Sequence, residues 1–193
     1  MPETNHQNKI DKIIEDLNSD DTVTITKALK SLETYGDTSV IRPLAQRLLK
    51  DIPGKNKKEI LELLSSLKDT SVVSEIVDIL GEQEFREIRQ LILSTIWNTK
   101  VDFSDYIDDF VLYATEGSLL EALDCLTIIE NLEGPFMEES LLECQLHLKN
   151  YLESGEHNMD QKSYILSEIA IKIKDIEAES ESESETETET ETE

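Results

Sequence analysis

An all-α chain, stacked from about four helical hairpins and closed by a helix at each end, is what the sequence predicts. Three observations carry that expectation. The 193 residues include only six Gly and four Pro, with 38% apolar and 32% charged side chains, a composition suited to helices joined by short connections. No stretch sustains apolar-polar alternation, and no Asn-Gly or Asp-Gly turn separates runs rich in Val, Ile or Thr, so strands are not indicated. The tetrapeptide Asp37-Thr38-Ser39-Val40 returns unchanged as Asp69-Thr70-Ser71-Val72, 32 residues further on, which is the mark of an internal repeat.

Residues 1–19 are expected to form an N-terminal capping helix, with Ile10, Ile13, Ile14 and Leu17 on one face. The repeats fill 20–153. In the first hairpin, Leu29, Leu32 and Tyr35 mark one helix, and Val40, Ile41, Leu44, Ala45 and Leu48 mark the next. The second hairpin repeats this with Leu61, Leu64 and Leu67, then Val72, Val73, Ile76, Val77 and Leu80. Between the helices of each pair lies a polar corner, where Asp37 or Ser39, and Asp69 or Ser71, can accept from the free N–H groups of the following helix. Pro43 falls in that helix's first turn, where its missing N–H costs little. A third hairpin uses Leu93 and Ile96, then Tyr106, Ile107, Phe110 and Val111; a fourth uses Leu123, Leu126, Ile129 and Leu132, then Leu141, Leu142, Leu146 and Leu148 after Gly134-Pro135.

Residues 154–176 form a second capping helix through Tyr164, Ile165, Ile169, Ile173 and Ile176, since a stack of hairpins otherwise leaves apolar faces in water. From Glu177 the chain alternates Glu with Ser or Thr almost without exception. Residues 177–193 hold nine Glu and no Lys or Arg, and no apolar residue follows Ala178, so this tail is expected to be disordered.

The run from Asp37 to Leu48 resembles the Asp-x-x-Val-x-x-Pro-x-Leu-x-x-x-Leu signature of HEAT repeats, above all the short bacterial kind. The second hairpin resembles it too, with Glu75 in place of the proline, and the third and fourth keep only the helical spacing. The resemblance spans about residues 20–153 and implies a right-handed α-α superhelix whose second helices line a concave face. It also implies a scaffold or adaptor. Tetratricopeptide repeats lack their Trp-Leu-Gly-Tyr pattern here, and a non-repeating helical bundle is the plainer rival.

Charge narrows the partner. The net charge is −25, divided into −3 for residues 1–100 and −22 for residues 101–193. Nucleic acids and anionic membranes are expected to be repelled, and a protein with a basic segment attracted. No 18-residue apolar stretch occurs and the first residues lack a signal pattern, so the location expected is cytoplasmic. Cys125 and Cys144 sit among Leu and Ile at helical spacing and read as buried free thiols.

The function expected is non-enzymatic: binding of a protein or peptide in a groove built from residues near 40–50, 72–80, 104–113 and 138–148. A structural or regulatory role through self-association is the alternative. An enzymatic or nucleic-acid role is less favoured, because it wants a cationic or cofactor-lined groove. Arg42, Arg47 and Lys50, with Lys55, Lys57 and Lys58, form a basic patch, and the acidic tail reads as a solubilising segment, as a lure for a basic partner or as a screen over this patch. Trp97 reads either as core or as an exposed anchor of the kind that dominates interfaces. Tyr106, Phe110 and Tyr113 fall along one helix side beside Asp105 and Asp109, an aromatic stripe framed by carboxylates. His6, His147 and His157 share no metal-ligand spacing, and the acidic group Asp102, Asp105, Asp108 and Asp109 lacks the Gly-punctuated loop of an EF-hand. No phosphate-binding Gly-rich loop or Gly-x-Ser-x-Gly occurs, so neither a cofactor nor a catalytic group is expected.

Overall fold

The computed structural model describes the backbone of residues 2–154 and 161–190, and the side chains there other than those of residues 2–5, 35 and 181–190. His157 and the tail residues 191–193 lie outside the described residues. The regular structure described is entirely helical, and the chain divides into two compact units, Met1–Val101 and Asp102–Glu193. The third expected hairpin is therefore divided, its first helix in one unit and its second in the other.

Six helices build the first unit: α1 (Pro2–Leu17), α2 (Thr22–Tyr35), α3 (Ile41–Leu48), α4 (Gly54–Ser65), α5 (Val73–Gly81) and α6 (Arg89–Ile96). They pack in alternation. Helix α2 lies on α4 and α4 on α6, α3 lies on α5, and α1 touches both α2 and α3. Contact between each helix and the next but one is what consecutive hairpins give when each hides its apolar face on its neighbour. Helices α3 and α5 bury every apolar residue that the repeat assigns to them, together with Ile79. Helix α4 departs from its expected stripe: Leu61 and Leu67 are half-buried, while Ile60 and Leu64 are buried. Successive three-residue steps fall about 60° short of a full turn and drift off the face, whereas the four-residue step from Ile60 to Leu64 nearly holds it.

The repeated corners are built by their aspartates. Asp37 accepts the Ser39 N–H at 3.0 Å, and Asp69 accepts the Ser71 N–H at 2.9 Å. Each opens a 3-10 turn, Thr38–Val40 or Thr70–Val72, that runs into α3 or α5. The bonds hold both carboxyls below their ordinary range, through the Ser39 hydroxyl foremost at Asp37 and the Ser71 N–H foremost at Asp69. A depressed folded pKa adds stability above the unfolded value and loses it as pH falls through the folded one. Asp37→Asn and Asp69→Asn are therefore expected to melt below the parent at neutral pH and to converge with it in strong acid, in thermal scans across pH.

Helices α7 (Ile107–Glu116), α8 (Leu119–Glu130), α9 (Glu138–Glu153) and α10 (Gln161–Thr190) build the second unit. Here α7 packs on α9 and α8 on α10, with cross-contacts from α7 to α8 and from α9 to α10. A third Asp-x-Ser corner precedes α7: Asp102 accepts the N–H of Ser104 at 3.0 Å and its hydroxyl at 2.6 Å. The buried Ser104 Oγ in turn accepts the N–H of Gly134 at 3.0 Å. Gly134 itself stands at φ 77°, where an L side chain is strained. Ser118 and Glu121 close a capping box at the start of α8. The Lys162 ammonium donates to the carbonyls of Thr115 (2.8 Å) and Gly117 (2.6 Å), placing a cation at the C-terminal end of α7.

Helix α10 buries Leu166, Ile169, Ile173 and Ile176, leaving Tyr164 exposed and Ile165 half-buried. The backbone does not lose its helix at Glu177 but continues to Thr190. Extension from an anchored helix needs no new nucleus, and Glu is a good helix former. Among the described residues, no helix is long and apolar enough to cross a membrane.

Candidate functional site

Most of the basic patch read from the sequence is engaged within the first unit. Arg42 donates from Nε to Glu75 at 2.6 Å and from its two terminal nitrogens to Glu82 at 2.9 and 2.8 Å, and it lies 5.6 Å from the centre of the Phe85 ring. Glu82 above all, with Glu75, pushes the guanidinium pKa up from an already high value. The side chain thus ties α3 to α5 and to the turn after it. Arg42→Ala is expected to cost about 1 kcal/mol, the partial exposure of all three side chains keeping it small, as measured by urea denaturation.

Arg47, expected to meet a partner, is only 3% exposed and donates to the Ser19 carbonyl at 3.0 Å, bracing the turn between α1 and α2. Lys50 is exposed and donates to Asn18 at 2.9 Å. Lys55 and Lys58 pair along α4 with Glu59 and Glu62.

Most of the aromatic stripe lies inside the second unit. Phe110 and Tyr113 are buried, Phe110 completely, and the Phe110 ring stands edge-on to Phe103 at 5.7 Å and to Tyr113 at 6.2 Å. Helical spacing does put Tyr106, Phe110 and Tyr113 on one side, but the unit packs that side inward, where large aromatic area is best hidden. Tyr106 is half-buried in the turn before α7, Asp109 is half-buried and Asp105 exposed. Trp97, at the end of α6, is 45% exposed while its neighbour Ile96 is buried. Among the described residues, no group of three or more His, Cys, Asp or Glu is arranged to hold a metal ion.

A different surface emerges in the second unit. Helix α9 turns Leu141 and Cys144 inward but leaves Leu142, 57% exposed, and Leu146 on the outside, with Met137 exposed just before the helix. Their spacing alone assigns both leucines to the apolar stripe of the fourth hairpin. Beside Leu142 a groove of about 460 Å³ runs between α9 and α10, lined by Phe136, Glu138, Leu141, Leu142, Gln145, Glu177 and Ser180. The Gln145 amide donates to Glu177 across it. On the inner side of α9 the Cys144 thiol is pushed up to about 12 by burial first, then by Asp108, Glu177 and Glu143. The signal that could have located this surface is the Leu141-Leu142 pair, whose members sit about 100° apart around the helix, so that a narrow buried face takes one and leaves the other outside.

A second cavity, about 450 Å³, lies in the first unit between the two repeated corners, with Leu32, Ile41 and Leu44 in its wall and Asp37, Lys68 and Asp69 on its edge. No family model matches this chain, and no curated protein or solved structure matches it either.

Proposed function

We propose that this chain is a non-enzymatic module that binds another protein, its hairpins stacked as repeats of the HEAT type. The next-but-one helix packing and the thrice-used Asp-x-Ser corner support the repeat reading. The observation that carries the binding role is the exposed pair Leu142 and Leu146, one helical turn apart on α9, beside a groove lined in part by Phe136, Leu141 and Leu142, in a half of the chain with net charge −22. Clustered apolar side chains on a charged surface mark interaction sites, and the charge selects basic partners while repelling polyanions.

Fluorescence anisotropy with labelled probes tests the proposal. A basic amphipathic peptide is expected to bind with an affinity that weakens as salt rises, and single-stranded DNA is not. Preference for DNA at physiological salt would remove the reading. The same exposed leucines favour one second reading, self-association, and sedimentation equilibrium separates the two: a monomer across concentrations supports partner binding, a concentration-dependent dimer the structural role.

A further inference from the structure

The groove between α9 and α10 has both apolar and acidic side chains in its lining. Phe136, Leu141 and Leu142 are the apolar ones, and the volume of about 460 Å³ falls in the range that takes a ligand of a few large groups. Glu138, exposed, and Glu177, half-buried and steadied by Gln145, stand at the edge. The sequence continues Glu177 in four-residue steps with Glu181, Glu185 and Glu189, and residues 101–193 carry a net charge of −22.

We propose that this groove seats the apolar anchor of a Lys- or Arg-rich segment of a partner protein, with Glu138 and Glu177 pairing with the cations that flank the anchor. The inference rests on the protein-binding reading above and names its surface and the chemistry of its ligand. Charge complementarity decides the occupant. A neutral or acidic apolar segment brings no cation to carboxylates that its docking would desolvate, whereas a basic one is steered in and paired. A second copy of this chain, at a net charge of −25, brings no excess of cations to the groove and is disfavoured for the same reason.

The experiment uses the full-length ¹⁵N-labelled chain, titrated with two synthetic peptides of about a dozen residues. One has Leu anchors flanked by Lys, the other the same anchors flanked by Glu. Amide shifts on adding the Lys peptide are expected to gather at residues 136–145 and 177–180, with the Glu peptide silent. Leu142→Asp is expected to raise Kd roughly tenfold or more, as loss of a central anchor contact does. The Glu138→Gln/Glu177→Gln pair should raise it several-fold and flatten its salt dependence. Removing residues 181–193 should weaken binding less and leave the shift map in place. Leu123→Asp, an equally polar change at an exposed leucine of α8, serves as the control, with circular dichroism confirming helix content for each variant.

Shifts gathered around Trp97 or around Leu120 and Leu123, with Leu142→Asp without effect, would overturn the groove while leaving protein binding intact. Equal binding of the Glu peptide would overturn the charge selection. Loss of the groove signals on raising protein concentration without peptide would name a second copy as the occupant and overturn the proposal. Silence of both peptides would overturn it too; the broader reading would then fail only if the anisotropy assay above also favoured DNA.

Discussion

Phe110→Ala is expected to remove about 3–5 kcal/mol of stability, the range for deleting a buried aromatic ring that its surroundings cannot refill. The ring has no exposed surface, and it stands edge-on between Phe103 and Tyr113 where α7 meets its neighbours. Edge-to-face contacts of this kind add to the area term, and both are lost together. A loss that size is a large part of the margin holding any domain folded, so the helix signal should melt at clearly lower temperature and urea concentration. The contrast with a surface role is sharp. If Phe110 were a contact for a partner, its removal would leave the melting curve within about 0.5 kcal/mol of the parent, as ordinary surface substitutions do. Trp97→Ala and Asp105→Ala, by comparison, should move stability little.

A comparable loss is expected in the first unit from Asn56→Asp, an isosteric change at a fully buried site. The Asn56 side-chain NH2 donates to Thr26 Oγ1 at 3.1 Å, to Glu59 Oε2 at 2.9 Å and, at the long distance of 3.4 Å, to the Thr22 carbonyl. Thr26 donates to the same Glu59 oxygen at 2.9 Å, so the group knits α2 to α4. Burial tends to push the Glu59 carboxyl up, but the hydrogen bonds from Thr26 and Asn56, with Lys55 nearby, hold it below the ordinary range. Exchanging the amide for a carboxyl removes the donors and sets a second negative charge beside the first without water. Breaking a buried polar arrangement in this way costs about 3–5 kcal/mol at neutral pH. The sign with pH follows. The introduced group has a raised folded pKa, so its penalty is absent below the unfolded carboxyl range, near about pH 4, and grows as pH rises through it. Urea melts at neutral pH and at about pH 4 should show the deficit shrinking in acid; a deficit equal at both would mean that the lost donors, and not the charge, are responsible.

Much of this architecture could be read from residues alone. The duplicated Asp-Thr-Ser-Val marks two corners that the structure builds alike, and the apolar positions of α3 and α5 are buried as the repeat assigns them. The third corner was legible in principle through Asp102-Phe103-Ser104, yet apolar spacing was the wrong signal for it, because the motif is a hydrogen-bonding one. Sites were harder. Arg47, Phe110 and Tyr113 look like surface chemistry when viewed by type, but an arginine can be buried on a single carbonyl, and an aromatic side of a helix is most often the side packed inward. Conversely, Leu142 and Leu146 look like core by type. Which of several leucines on α9 stays outside depends on how α7 and α10 lie against it, contacts between helices well separated in the chain. Phe85 and Ile60 escaped notice for a related reason: each is buried by neighbours contributed from other helices.

The sealed thiols of the second unit carry one more consequence. Cys125 and Cys144 have no exposed surface, and Cys144 keeps its proton far above neutrality, so an alkylating reagent at pH 8 finds no thiolate to attack while the helices are closed. Modification of Cys144 must then wait for α9 to lift. Its rate in the absence of denaturant becomes a stopwatch for the breathing of that helix, and a peptide bound along the outer side of α9 should slow the clock.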